Sequence, residues 1–109
     1  MKNYYDLFVE LSLQQCTKSD YLDKAKVKVH NKASKKIKEL QAKIKETGNL
    51  EILNLLLSHE DDRVKINAAS TCLQFNVYMN ETIHVLNSIV ANSDDETIRF
   101  SARMLLKNF

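Results

Sequence analysis

The chain contains no proline and a single glycine, Gly48, among its 109 residues. Strand-and-turn proteins use both residues at tight connections, so their scarcity argues against such a fold. Beside abundant Leu, Lys, Ala, Ile and Glu, it predicts helices joined by short polar turns. No apolar run approaches the roughly 20 residues needed to span a bilayer. The opening Met1-Lys2-Asn3-Tyr4-Tyr5-Asp6 has neither an apolar signal core nor a small-residue cleavage site, and the expectation is a cytoplasmic protein. The only two cysteines, Cys16 and Cys72, are far apart with no CxxC spacing. Small disulfide scaffolds carry many more, so both are expected as buried free thiols.

The usual carriers of catalysis are also missing. With one glycine there is no phosphate-cradling loop, and no GxSxG nucleophile elbow occurs. His30, His59 and His84 each lack a partner His at i+3 or i+4, the spacing by which a helix holds zinc. His59-Glu60-Asp61-Asp62 comes nearest to a ligand cluster, but consecutive turn residues point in different directions and helix capping accounts for the acids. No metal, no cofactor and no enzymatic activity are expected.

Charge is unevenly placed. The net charge is +2, yet residues 18 to 47 hold ten Lys against four acids, while residues 48 to 109 hold five basic against eight acidic residues. The basic stretch contains one aromatic residue, Tyr21, and no Arg. Base stacking and bidentate guanine contacts use those residue types, so nucleic-acid binding there would be nonspecific and salt-sensitive.

Helical periodicity runs through the chain. Tyr5, Phe8, Val9, Ser12 and Cys16 share one face of a helix over about residues 3 to 15. Ser19 or Asp20 can cap a second helix, along which Leu22, Ala25, Val29, Ala33, Ile37, Leu40 and Ile44 form a stripe that Gly48 ends. At ~1.5 Å per residue that element is about 40 Å long, more than the rest of the chain easily covers. A break near His30-Asn31 therefore stands as an alternative to one continuous helix.

Residues 50 to 109 carry an internal repeat. Leu53-Asn54-Leu55-Leu56-Leu57 and Asp61-Asp62 match Leu86-Asn87-Ser88-Ile89-Val90 and Asp94-Asp95 at a spacing of 33. After one inserted residue, Val64 to Ala68 match Ile98 to Ala102, and Phe75 matches Phe109, at a spacing of 34. The unit is helix, acidic turn, helix. Its stripes are Leu50, Leu53, Leu56 and Leu57; Val64, Ala68, Cys72 and Phe75; Ile83, Leu86, Ile89 and Val90; Ile98, Ala102, Leu105, Leu106 and Phe109. A helix pair this small cannot bury its stripe alone, so stacked neighbours must supply the other wall. Ala68, Ala69 and Ala102 allow close helix crossings, and Ser93-x-x-Glu96 fits a capping box.

The run Lys28-Val29-His30-Asn31-Lys32, the helix Ile37 to Leu40 and the run Leu55-Leu56-Leu57-Ser58-His59-Glu60-Asp61-Asp62-Arg63-Val64-Lys65-Ile66-Asn67-Ala68-Ala69 together resemble the small bacterial HEAT-like proteins grouped as domain of unknown function 2019. The resemblance covers about residues 5 to 109. HEAT-type repeats place Asp before a Val-Arg/Lys helix start; here Lys65 stands where Arg is commoner, and the turn lacks Pro. The resemblance implies an α-α superhelix of stacked antiparallel helix pairs and supplies no catalytic or ligand residues. Small lysine-rich proteins of this helical-repeat type are also similar to immunity proteins of contact-dependent and other polymorphic toxin systems.

The expectation is thus an all-α, HEAT-like single domain over residues 1 to 109 with about six helices, monomeric, acting through a surface. The function expected is that of a protein-binding inhibitor: an immunity protein that covers a cognate toxin domain, possibly a nuclease, whose basic cleft would attract acids. Candidate contact residues are Glu60, Asp61, Asp62, Asp94, Asp95, Glu96 and Tyr78. A general scaffold for another protein, or nonspecific nucleic-acid binding through the lysine helix, are the alternatives.

Overall fold

In the computed structural model, residues 3 to 15 and 24 to 107 are described, and they are helical throughout apart from short connections. Six helices follow one another: α1 (Tyr4–Leu13), α2 (Lys24–Thr47), α3 (Glu51–Leu57), α4 (Asp62–Phe75), α5 (Met79–Asn92) and α6 (Glu96–Lys107). No strand occurs among the described residues. None of their helices is long and apolar enough to cross a membrane. The chain divides into two compact units, residues 1 to 50 and 51 to 109.

In the first unit, α1 starts at Asn3, whose Oδ1 accepts the Asp6 N–H at 2.8 Å. This satisfies one of the amides that every helix start leaves without an intrahelical partner. Phe8 and Ser12 lie on its buried face, with Tyr5 and Val9 half-buried beside them. The Ser12 hydroxyl donates to the Phe8 carbonyl at 2.8 Å, so the polar group enters the core satisfied. Helix α1 packs on α2, and the Gln15 amide donates to Ser34 Oγ at 3.1 Å.

Helix α2 is one unbroken helix of 24 residues, about 36 Å long. The break weighed near His30-Asn31 does not occur, because neither residue removes a backbone donor or forces a change of dihedral. The coverage problem is met differently. Ala33, Ile37, Leu40 and Ile44 are buried, whereas Ala25 is exposed and Val29 keeps 49% of its surface open. The expected stripe is therefore core only from Ala33 onward. Gly48 ends α2 as expected: its φ is +74°, and its N–H reaches the carbonyls of Ile44 and Lys45 at 3.1 and 3.2 Å. A Cβ there would meet nothing within 4 Å, so glycine is required by the backbone angle and not by space.

Cys16, the proposed Ser19/Asp20 cap, Leu22, Tyr21 and Phe109 lie outside the described residues.

In the second unit, α3 packs on α4 and α5 on α6; between these pairs, α4 packs on α5 and α6, and α3 on α5. Short turns make consecutive helices antiparallel, so this is one helix pair stacked on another. The expected stripes form the shared interior: Leu53, Leu56, Leu57, Val64, Ala68, Cys72, Leu86, Ile89 and Ala102 are buried. Ile83, Val90, Ile98, Leu105 and Leu106 are half-buried at its margins. Ala69 is also fully buried, and Thr71 enters the core with its hydroxyl donating to the Asn67 carbonyl at 2.8 Å. Helix α4 ends on Asn76 in the left-handed region, with Val77 N–H on the Cys72 carbonyl at 3.0 Å. This wrapping arrangement satisfies carbonyls that the helix end would leave open.

Because Ala68 has no accessible surface, a larger side chain has nowhere to go. Ala68→Leu is expected to destabilise the chain by about 1 to 3 kcal/mol in urea unfolding, whereas Leu55→Ala, at an exposed site, should shift it by less than about 0.5 kcal/mol.

Candidate partner-binding surface

The two acidic turns are built alike. Asp61 Oδ1 accepts the N–H groups of Arg63 and Val64 at 2.9 and 3.3 Å. Asp95 Oδ1 accepts those of Thr97 and Ile98 at 2.8 and 3.2 Å. Each aspartate thus holds the opening amides of the second helix of its pair, where its charge also faces the positive end of the helix dipole. Two residues ahead of each aspartate, a side chain braces the turn: His59 Nδ1 accepts the Asp61 N–H at 3.0 Å, and Ser93 Oγ accepts the Asp95 N–H at 3.3 Å. Acting as acceptor, the His59 Nδ1 must be unprotonated.

This geometry corrects the register of the repeat. Asp61 is equivalent to Asp95, a separation of 34, so the inserted residue lies before the cap and not after it. Helix α5 ends at Asn92. The Ser93-x-x-Glu96 capping box does not form, since Ser93 serves the Asp95 amide and Asp95 itself caps α6. The Arg99 guanidinium closes the same turn by donating to the Ser93 carbonyl at 2.6 Å.

Six of the seven candidate residues fall into two groups. Glu60, Asp61 and Asp62 lie in the turn before α4, and Asp94, Asp95 and Glu96 in the turn before α6. Since helices alternate in direction and α4 packs on α6, both turns open at the same end of the second unit. Tyr78 starts α5 and so stands at the opposite end, a helix length away of about 20 Å. Asp61 and Asp95 are half-buried in their caps, and Asp62 lies 3.7 Å from Lys65 Nζ. Glu60, Asp94 and Glu96 are the exposed acids. Tyr78 has φ 49° and ψ 41° with no side-chain cap, a backbone region that is costly for an aromatic residue.

Sequence reasoning missed a feature of α6. Phe100 matches Ile66 in the repeat, yet Ile66 retains 7% of its surface and Phe100 61%. Helix α5 covers α4, and no later helix among the described residues does the same for α6. Met104, one turn beyond Phe100, is 42% exposed. The signal was present: Phe100 and Met104 sit about 200° and 240° around the helix from Ile98, opposite the stripe. Glu96, Arg103 and Lys107 share that exposed face.

An open groove of about 320 Å³ lies between α1 and α2, with Leu7, Leu11 and Leu40 among its apolar residues and Glu10, Lys36, Glu39 and Lys43 among its charged ones. Among the described residues no three His, Cys, Asp or Glu side chains are grouped to hold a metal ion. Cys72 is free and buried, and burial pushes its thiol from the ordinary 9.0 up to about 11. The neighbouring Thr82 hydroxyl opposes the rise and the Glu81 charge adds to it. That hydroxyl contact is weak, since Thr82 Oγ1 has no hydrogen-bond partner of good geometry.

Compared with protein families, with curated proteins and with solved structures, the chain shows no significant match.

Removing either cap is expected to lower stability without abolishing the fold: Asp61→Ala and Asp95→Ala should each cost about 0.5 to 2 kcal/mol in urea unfolding, and Asp→Asn at either position much less. Cys72 makes a second prediction. A thiol whose folded pKa exceeds its unfolded one contributes stability that is complete below pH 9 and fades as pH rises toward 11. Alkaline unfolding curves of Cys72→Ala should therefore fall less steeply than those of the parent, by on the order of 1 to 3 kcal/mol at the upper limit.

Proposed function

We propose that the chain is a protein-binding inhibitor, in its concrete form a bacterial immunity protein that covers a cognate toxin domain and blocks its active site. The observation that carries this reading is the outer face of α6. Phe100 and Met104 are exposed one turn apart, with Arg103 and Lys107 beside them and the exposed acids Asp94 and Glu96 at the helix start. Aromatic, Met and Arg side chains are the types enriched at protein interfaces. An apolar pair framed by charges suits a partner that is steered by charge and then held by burial. The acidic turn before α4 opens at the same end and extends the negative surface. A basic, phosphate-holding cleft of a nuclease toxin carries the complementary charge. The resemblance of the Leu56 to Ala69 turn to HEAT-like bacterial proteins agrees with this reading.

The test is a titration of the chain against the product of the neighbouring gene by biolayer interferometry, together with growth of cells expressing that product's toxin domain. Phe100→Ala with Met104→Ala should weaken binding at least about tenfold, mainly by faster dissociation, and remove protection while helical circular dichroism is unchanged. Asp94→Asn with Glu96→Gln should slow association at low salt and leave dissociation near the parent rate. Binding without loss of the partner's activity would make the chain an adaptor. Full protection by the α6 double variant would remove this face from the interface.

A further inference from the structure

The lysines of α2 are not spread evenly along it. From Lys24 to Lys38 the helix carries seven Lys and no Asp or Glu; Glu39 and Glu46 appear only in its second half. Lys24, Lys28, Lys32, Lys35, Lys36 and Lys38 are all exposed. Five of them, Lys24, Lys28, Lys32, Lys35 and Lys38, fall within an arc of about 120°. The first turn has no acidic residue, so lysine stands where the helix dipole favours an anion.

Among the described residues, full core burial does not reach this lysine cluster. No described side chain between Lys24 and Lys32 is buried, and core burial along α2 begins at Ala33. Over these leading turns the exposed side chains are mainly lysine, with Val27 and His30 half-buried among them.

We propose that the N-terminal half of α2, Lys24 to Lys38, is a docking surface for the phosphate backbone of double-helical nucleic acid. The chemistry selects this partner. Lysine is a flexible point charge suited to phosphate, and residues four apart on a straight helix advance by about 6 Å, giving a row of cations for a row of phosphates. The segment holds no Arg and no aromatic residue, so it has neither the fork that reads guanine nor the rings on which single-stranded bases stack. Contacts made only to phosphates position a protein without specifying sequence. An acidic bilayer fits less well. A helix lying in a membrane surface needs large apolar residues opposite its charges, but here that side offers Ala25 and Val29 and then the buried Ala33 and Ile37.

The experiment is fluorescence anisotropy of the whole chain with labelled mixed-sequence DNA and RNA duplexes, a single strand of the same length and phosphatidylserine vesicles. Duplex binding at low salt should fall with salt along a log–log slope near −3.6, the value for about four phosphate contacts. Lys28→Gln, Lys32→Gln and Lys35→Gln combined should weaken it more than about tenfold and reduce the slope toward −1. Lys43→Gln with Lys45→Gln, in the half that carries acids, should change it less than about twofold. Gln matches Lys in helix propensity, and lysine acetylation of the unmodified chain, with and without duplex, reports the same surface if the triple variant is unstable. Absence of duplex binding at low salt would overturn the proposal. So would equal losses in the two variants, no protection of Lys28 and Lys32 from acetylation, or binding of vesicles in place of duplex.

Discussion

The structure depends on the inability of a short amphipathic helix pair to shelter its own apolar stripe. Helix α3 has seven residues and still buries Leu53, Leu56 and Leu57, which α4 alone could not enclose. Helices α4 and α5 supply the shared wall, and the absence of side-chain bulk at Ala68, Ala69 and Ala102 lets the helices close on it. Each of the large buried leucines contributes about 1.5 to 3 kcal/mol relative to exposure, so the stack is held by a few residues, and the capping aspartates fix where each second helix begins. Stability and surface are neighbours here, because the capping Asp61 and Asp95 sit directly beside the exposed Glu60, Asp94 and Glu96 of the acidic end.

Much of this was legible before the coordinates, for a physical reason. Burial on one face of a helix imprints a period near 3.6 on the sequence, and the stripes through Leu53, Val64, Leu86 and Ala102 are that imprint. Gly48 was legible because few other residues tolerate its positive φ. The parts that misled were those where local patterns compete. Asp61-Asp62 and Asp94-Asp95 look like the same pair, but a net insertion of one residue before the second turn shifts which aspartate caps. Ser93 and Glu96 have capping-box spacing, yet Asp95 between them is the better-placed acceptor. In α2 the apolar period runs to Val29 and Ala25, which stay exposed, since periodicity records which face could be buried and not whether a neighbour buries it. Phe100 was read through its repeat partner Ile66, and equivalence in a repeat fails at a helix that no later helix among the described residues covers.

The two units expose different chemistry. The first offers a helix whose leading turns expose a cluster of lysines, and the second offers an acidic end beside a Phe–Met pair. Charges of opposite sign kept on separate helices favour separate partners: a polyanion is attracted to α2 and repelled by the turns before α4 and α6. Several groups with reactive potential are engaged by the fold. Cys72 is buried with its thiol held protonated, His59 braces a turn through its ring nitrogen, and two of the aspartates accept helix amides.

The claim that two stacked helix pairs share one interior is tested most directly by native-state hydrogen exchange across residues 51 to 109. If the interior is shared, the slowest amides of α4 and α5 exchange through a common opening with the same free energy and the same denaturant dependence. Exchange in which the α3–α4 amides open at a distinctly lower free energy than those of α5–α6 would show two independent pairs and contradict the account.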